Sequence, residues 1–118
     1  MSLVAKQFVF VQNIVKLLQF AIDSGYVITF GEAHRPLEMQ QLYVKQGRSK
    51  TLRSKHMERL ALDLNVFKDG KLQGRAGIKP LGDYWESLHE LNRWGGNWRG
   101  LVDAGKSKFI DAPHFEMQ

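Results

Sequence analysis

Ser54-Lys55-His56-Met57-Glu58-Arg59-Leu60-Ala61-Leu62-Asp63-Leu64 is the stretch that decides how this 118-residue chain folds. Its second half alternates with a period of two, so Leu60, Leu62 and Leu64 fall on one face of a strand and Ala61 and Asp63 on the other. A carboxylate on so apolar a strand needs a partner, because an unpaired buried charge is costly. The candidate partner lies near the C-terminus, in Asp111-Ala112-Pro113-His114-Phe115-Glu116. His56, Asp63 and His114 make a set of two imidazoles and one carboxylate. Such a set suits a catalytic zinc, which takes three protein ligands and keeps a fourth position for water. The offset from His56 to Asp63 is odd, so a regular strand would put them on opposite faces. Met57-Glu58-Arg59 must therefore contain a turn or bulge if both are to reach one metal.

Outward from this stretch, helices and strands mix without a strict β-α-β rhythm, which favours an α+β domain over a doubly wound one. Upstream, Val4, Phe8, Val11, Val15, Leu18 and Ile22 recur at intervals of three and four and predict a helix buried along that stripe. Phe10, Ile14, Leu17 and Ala21 widen the stripe, and packing in the core or docking a partner are both open to it. Gly25 suits the left-handed position after a helix. Tyr26 to Phe30 reads as a strand. Pro36 is placed to start a second helix that Gly47 ends. Gly47 to Lys55 is a basic loop with Arg48, Lys50, Arg53 and Lys55. Downstream, Leu60 to Phe67 is a central strand closed by the Asp69-Gly70 turn. Pro80 to Trp94 reads as a helix, and Phe109-Ile110 and His114-Phe115-Glu116 as short strand pieces. His89-Glu90 is not a zinc-binding His-Glu-x-x-His motif, because position 93 is Arg93.

The composition is that of one globular domain spanning 1–118, with 43% apolar and 25% charged residues. With no cysteine, any metal must be held by histidine and carboxylate. The net charge of +5 suits a polyanionic partner, whether nucleic acid or a phosphate-bearing cell wall. The basic loop lacks the interleaved aromatics of a nucleic-acid binder, so no nucleic acid is expected. The apolar run Phe8 to Val11 is cut short by Gln12, Asn13 and Lys16, and no run approaches the roughly 20 residues that span a bilayer. Synthesis in the cytoplasm without a signal peptide, no membrane insertion and a monomer are the expectations.

Ser-x-His-x6-Asp followed by Asp-x-x-His-Phe-Glu resembles the M15 zinc metallopeptidases, which include D-Ala-D-Ala carboxypeptidases and dipeptidases and phage L-alanyl-D-glutamate endolysins. The resemblance runs from about Gly31 to Glu116. It implies a small antiparallel sheet flanked by helices, with zinc on the sheet held by His56, Asp63 and His114. It also implies that Asp111 is no ligand but the general base, with Glu116 as its competitor or a supporting or salt-bridging group. Arg35, after the first strand, would steady the scissile carbonyl. His34 stands where the family often has Tyr or Ser. Gln40 and Ser54 are candidates to hydrogen-bond the peptide, though a structural cap is open to the serine. Trp94-Gly95-Gly96-Asn97-Trp98 is similar to a loop in the phage enzymes. It offers Trp94 either as a groove wall near the metal or as packing beneath a loop. The activity so implied is cleavage of peptidoglycan stem peptides between L-Ala and D-Glu. A D-Ala-D-Ala peptidase and a non-cutting, zinc-stabilised wall-binding module are the alternatives.

Overall fold

A computed structural model describes residues 1–49 and 54–118; Lys50 and Arg53 of the basic loop lie outside the described residues. The elements follow in the order α1 (Leu3–Asp23), β1 (Val27–Phe30), α2 (Leu37–Lys45), β2 (Ala61–Lys68), β3 (Lys71–Leu72), α3 (Arg75–Leu88), β4 (Asn92–Trp94) and β5 (His114–Met117). The strands form one antiparallel sheet in the order β1-β2-β5-β4, with β3 hairpinned onto β2. This is the α+β arrangement of a small antiparallel sheet with helices against it.

β2 is the organising strand. Leu60, Leu62, Leu64 and Val66 are buried on one side, with Phe115, Met117, Trp85 and Trp94. Cross-strand register explains why: Leu62 pairs with Phe115, and Phe115 with Trp94, so all three share the core face. The other face carries Asp63 opposite His114, and Glu116 between Ala61 and Arg93. One strand period thus separates core from polar face. The hairpin after β2 turns through Asp69 and Gly70, both at positive φ (53° and 76°), as a two-residue Asp-Gly turn requires.

α1 is capped by Ser2, whose hydroxyl accepts from the Ala5 N–H at 3.1 Å. Its buried stripe is not the expected one. Phe10, Asn13, Leu17 and Ala21 face the core, whereas Val4, Phe8, Val11, Val15 and Ile22 are exposed and Leu18 is half-buried. The two stripes differ by one residue, about 100° around the helix, and both are apolar. The choice is made by α3, which offers Trp85 to the Phe10 ring edge-on at 5.5 Å and Tyr84 to stack on Phe20 at 4.1 Å. Leu17→Ala should therefore cost about 2–5 kcal/mol in denaturant unfolding, as buried leucines do, while Val15→Gln should stay within about 0.5 kcal/mol, as surface changes do.

α3 also departs from expectation. It begins at Arg75 and carries Pro80 in its interior, forgoing one intrahelical hydrogen bond. Burial of Ile78, Leu81 and Trp85 offsets that loss. The helix ends at Leu88, and Asn92–Trp94 forms β4 instead of its last turn, because these residues pair with β5. Phe109-Ile110 is not a strand.

Candidate active site

The polar face of the sheet floors an open cleft of about 900 Å³. Asp63 and His114 reach it as direct cross-strand neighbours. His56 reaches it through the turn that the odd spacing demanded. There Leu60 N–H returns to the Lys55 carbonyl at 2.9 Å, and Arg59 takes a left-handed φ of 57°. One Asp63 oxygen, Oδ1, lies 3.3 Å from His56 Nε2 and 3.2 Å from His114 Nδ1. The candidate ligand atoms of the three residues lie within 4.8 Å of one another.

The outer ring nitrogens are tied down. His56 Nδ1 lies 2.7 Å from the Ala33 carbonyl, which can only accept, so Nδ1 donates there and Nε2 points inward at Asp63. His114 Nε2 lies 2.8 Å from Glu116 Oε1, so Nε2 donates and Nδ1 faces Asp63. Glu116 is itself held by Arg93, at 2.6 and 3.0 Å. Two imidazoles with anchored outer nitrogens and one carboxylate, all converging, fit a metal ion of the zinc type. Burial alone would raise Asp63, but hydrogen bonds from His114 and His56 overcome it and hold the carboxyl down at about 2. Burial alone would lower His114, but its bonds to Asp63 and Glu116 raise it to about 9. Glu116 is likewise lowered despite burial, by His114 and Arg93.

Asp111 stands beside this trio. Its Oδ2 is 3.9 Å from His114 Nδ1, and it is half-buried. Burial, with the charge of Asp63 adding to it, raises its pKa. Its position depends on Gly95: Asp111 N–H donates to the Gly95 carbonyl and Gly95 N–H to the His114 carbonyl, both at 2.8 Å. A Cβ on Gly95 would fall 2.2 Å from the Asp111 carbonyl oxygen, so only glycine admits this approach.

Arg35 lines the cleft and is held from several sides. Its backbone N–H donates to the His56 carbonyl at 3.1 Å, and its guanidinium pairs with Glu32 and donates to Gln40 Oε1 at 2.6 Å and Ser54 Oγ at 3.3 Å. Tyr43 donates to Glu32 at 3.0 Å and places its ring 4.7 Å from the Arg35 guanidinium carbon. Ser54 lines the cleft and also accepts from the His56 N–H at 3.2 Å, capping the turn that presents that histidine.

Two candidates are corrected. Gln40 is 0% exposed, and its amide is spent on Arg35 and Ser49, so it orients the arginine instead of meeting a peptide. Trp94 is 0% exposed as well. Its indole N–H donates to the Ala112 carbonyl at 2.7 Å, and its ring fills space that Cβ atoms on Gly82 or Gly96 would occupy. The period-two face of β4 sends Trp94 into the core. The tryptophan that lines the cleft is Trp98, stacked on Phe109 at 5.9 Å and tilted over His114 at 5.6 Å. His34 is exposed and lies outside the cleft, and His89 accepts from the Leu91 N–H at 3.0 Å just beyond α3.

Glu32, Tyr43 and Arg93 were not legible as site residues. Arg93 had a signal, its place one residue before Trp94, but only once that segment is known to be a strand. Because Glu116 orients His114, Glu116→Ala should weaken metal binding by about 10- to 100-fold, measured by competition with a chelating dye.

The chain is 31% identical over 96 residues to the L-alanyl-D-glutamate peptidase of Listeria phage A118; the match covers 80% of this chain and 34% of that protein, so the chain spans about a third of the length of that curated relative. The crystal structure of Serratia marcescens L-Ala D-Glu endopeptidase ChiX superposes with a TM-score of 0.66 at 22% identity, over 91% of this chain and 79% of that one. A mutant of the vancomycin resistance D,D-pentapeptidase VanY, in complex with Zn(II), superposes with a TM-score of 0.60 at 15% identity, over 92% of this chain and 70% of that one. Both likenesses show the fold. The profile of the phage L-alanyl-D-glutamate peptidase family matches residues 4–118, nearly the whole length, and the chain belongs to that family.

Proposed function

We propose that residues 1–118 form a single zinc peptidase domain that hydrolyses peptidoglycan stem peptides between L-Ala and D-Glu. The observation that carries this reading is the convergence of His56, Asp63 and His114 beside a carboxylate, Asp111, that belongs to none of their hydrogen bonds. His56 Nε2, an Asp63 oxygen and His114 Nδ1 would hold the zinc. Zinc held there supplies Lewis acidity, polarising a carbonyl and bringing the pKa of a water down to about 7.

The chain's own groups do the rest. Asp111, half-buried and raised in pKa, accepts a proton from the attacking water and returns it to the amine that leaves. Arg35, braced by Glu32, Gln40 and Ser54, donates to the carbonyl oxygen as negative charge develops on it. Its bracing matters because a donor fixed in advance needs no reorganisation during reaction. Trp98 and Phe109 wall the cleft against the peptide. The basic net charge suits work on a polyanionic cell wall. Among the described residues no helix is long and apolar enough to cross a membrane.

Digestion of purified peptidoglycan, followed by mass spectrometry of the new termini, tests this reading. A new D-Glu amine paired with a freed L-Ala carboxyl, lost under zinc chelation and restored by zinc, is expected. Release of D-Ala would move the assignment to a carboxypeptidase. Intact peptides from walls of several types would reject hydrolysis and leave a binding role.

A further inference from the structure

We propose that Arg48 is the subsite for the free carboxylate of the glutamyl residue on the leaving side of the scissile bond, an inference that rests on the L-Ala–D-Glu reading above. A glutamyl residue has two carboxyl groups, and extension of the peptide uses at most one. The residue that follows the cut therefore brings a negative charge into the cleft unless it is amidated. The alanyl side brings only a methyl group.

Four described arginine and lysine side chains line the cleft, and three are already paired. Arg35 is matched by Glu32, Lys55 by Glu58 at 2.9 Å, and Arg93 by Glu116 at 2.6 Å. Arg48 has no carboxylate partner among the described residues, and the sequence from 50 to 53 contains no acid. The guanidinium of Arg48 is not loose. It packs over the Tyr43 ring with its carbon 4.2 Å from the centroid, and its backbone N–H donates to the Tyr43 carbonyl at 2.8 Å. Gly47, at φ 75°, turns the chain there so that Arg48 folds back onto the end of α2.

The same ring carries Arg35, 4.7 Å from its centroid. One tyrosine thus spaces the cation for the scissile carbonyl from the cation left unmatched. With both guanidinium groups on this one ring, a peptide held by its carbonyl at Arg35 would bring a neighbouring residue, one Cα step of about 3.8 Å further on, toward Arg48. Charge then decides which neighbour: only the glutamyl side offers an anion. A guanidinium braced over an aromatic ring is pre-organised to offer its N–H groups to a planar carboxylate, a group that arginine binds through paired hydrogen bonds.

The test uses two synthetic peptides that differ only at this group, one with the free carboxylate on the D-glutamyl residue and one with a carboxamide. The zinc-loaded wild type should favour the carboxylate peptide in kcat/KM by about ten- to a hundredfold, the range of a charge-assisted hydrogen-bonded pair. Arg48→Gln should erase that preference by raising KM for the carboxylate peptide alone, and Arg48→Lys should restore part of it. Calorimetry of the product peptide beginning with D-Glu should show the same loss in Arg48→Gln without turnover. A preference that survives in Arg48→Gln, an equal loss on both peptides, or no preference in the wild type would overturn the assignment. If zinc-loaded wild type cuts neither peptide, the bond reading itself fails and the subsite fails with it.

Discussion

Asp111→Asn should lower kcat/KM on a stem peptide by about 10²- to 10⁴-fold, the usual worth of a positioned general base, while zinc content stays at the wild-type level. Asparagine keeps the shape of the side chain and removes its ability to take a proton. Metal retention is expected because the Asp111 carboxylate stands outside the trio: its Oδ2 lies 3.9 Å from His114 Nδ1, whereas Asp63 bridges both histidines at 3.2 and 3.3 Å. Asp63→Asn should do the opposite and lose metal first. Metal analysis of both proteins, beside steady-state kinetics, separates the two roles. An Asp111→Asn enzyme within about threefold of wild type would remove Asp111 from catalysis, since a base loss of that size is below any positioned acid–base effect. Glu116 is a poor replacement, because both its oxygens are committed, one to His114 and one to Arg93.

Metal affinity should rise steeply with pH. His114 in the metal-free protein has a pKa of about 9, so below that it holds both ring protons. A metal needs the Nδ1 lone pair, and binding must therefore expel a proton. The resulting slope is about tenfold in Kd per pH unit, or about a hundredfold between pH 6 and 8. Titration with a chelating dye across this range, in two buffers of different ionisation enthalpy, counts the proton directly. A flat Kd would show that His114 is not a ligand.

The same shift sets the stability of the metal-free protein. The raised pKa of His114 contributes stability fully present below its ordinary value of 6.5 and lost as pH rises through about 9. Asp63, depressed to about 2, contributes stability present above its ordinary 3.8 and lost as pH falls through 2. Thermal unfolding without metal should therefore be highest between these limits, and added zinc should widen its advantage as the solution becomes alkaline.

Much of the site was legible in the order of the residues. Residue type, order and spacing singled out His56, Asp63 and His114, the family resemblance added Asp111, and the odd offset from His56 to Asp63 required the turn at Lys55 to Arg59 that brings both to one side. Arg35 was legible from its place after β1. What failed were two choices of side-chain direction that depended on a second element. Gln40 and Trp94 had suitable chemistry and position in the chain, but nothing local told which way either would point. Trp94 turned inward because Asn92–Trp94 pairs with β5 and Gly82 and Gly96 leave room for its ring; the cleft received Trp98 instead.

α1 makes the same point. Its helical period and its end at Gly25 are local properties, set by backbone hydrogen bonds within a few residues, and the sequence alone determined them. Which of its two apolar stripes is buried is a contact of Phe10 with Trp85 and of Phe20 with Tyr84, 75 and 64 residues away, and two stripes of equal period carry no mark that distinguishes them. The sequence by itself determined the strand that carries Asp63 and the family, and it singled out His56, Asp63 and His114 as the candidate metal-holding group. Only the tertiary structure decided which faces meet, which aromatic walls the cleft and which cation is left without a partner, because those are outcomes of packing between elements distant in the chain.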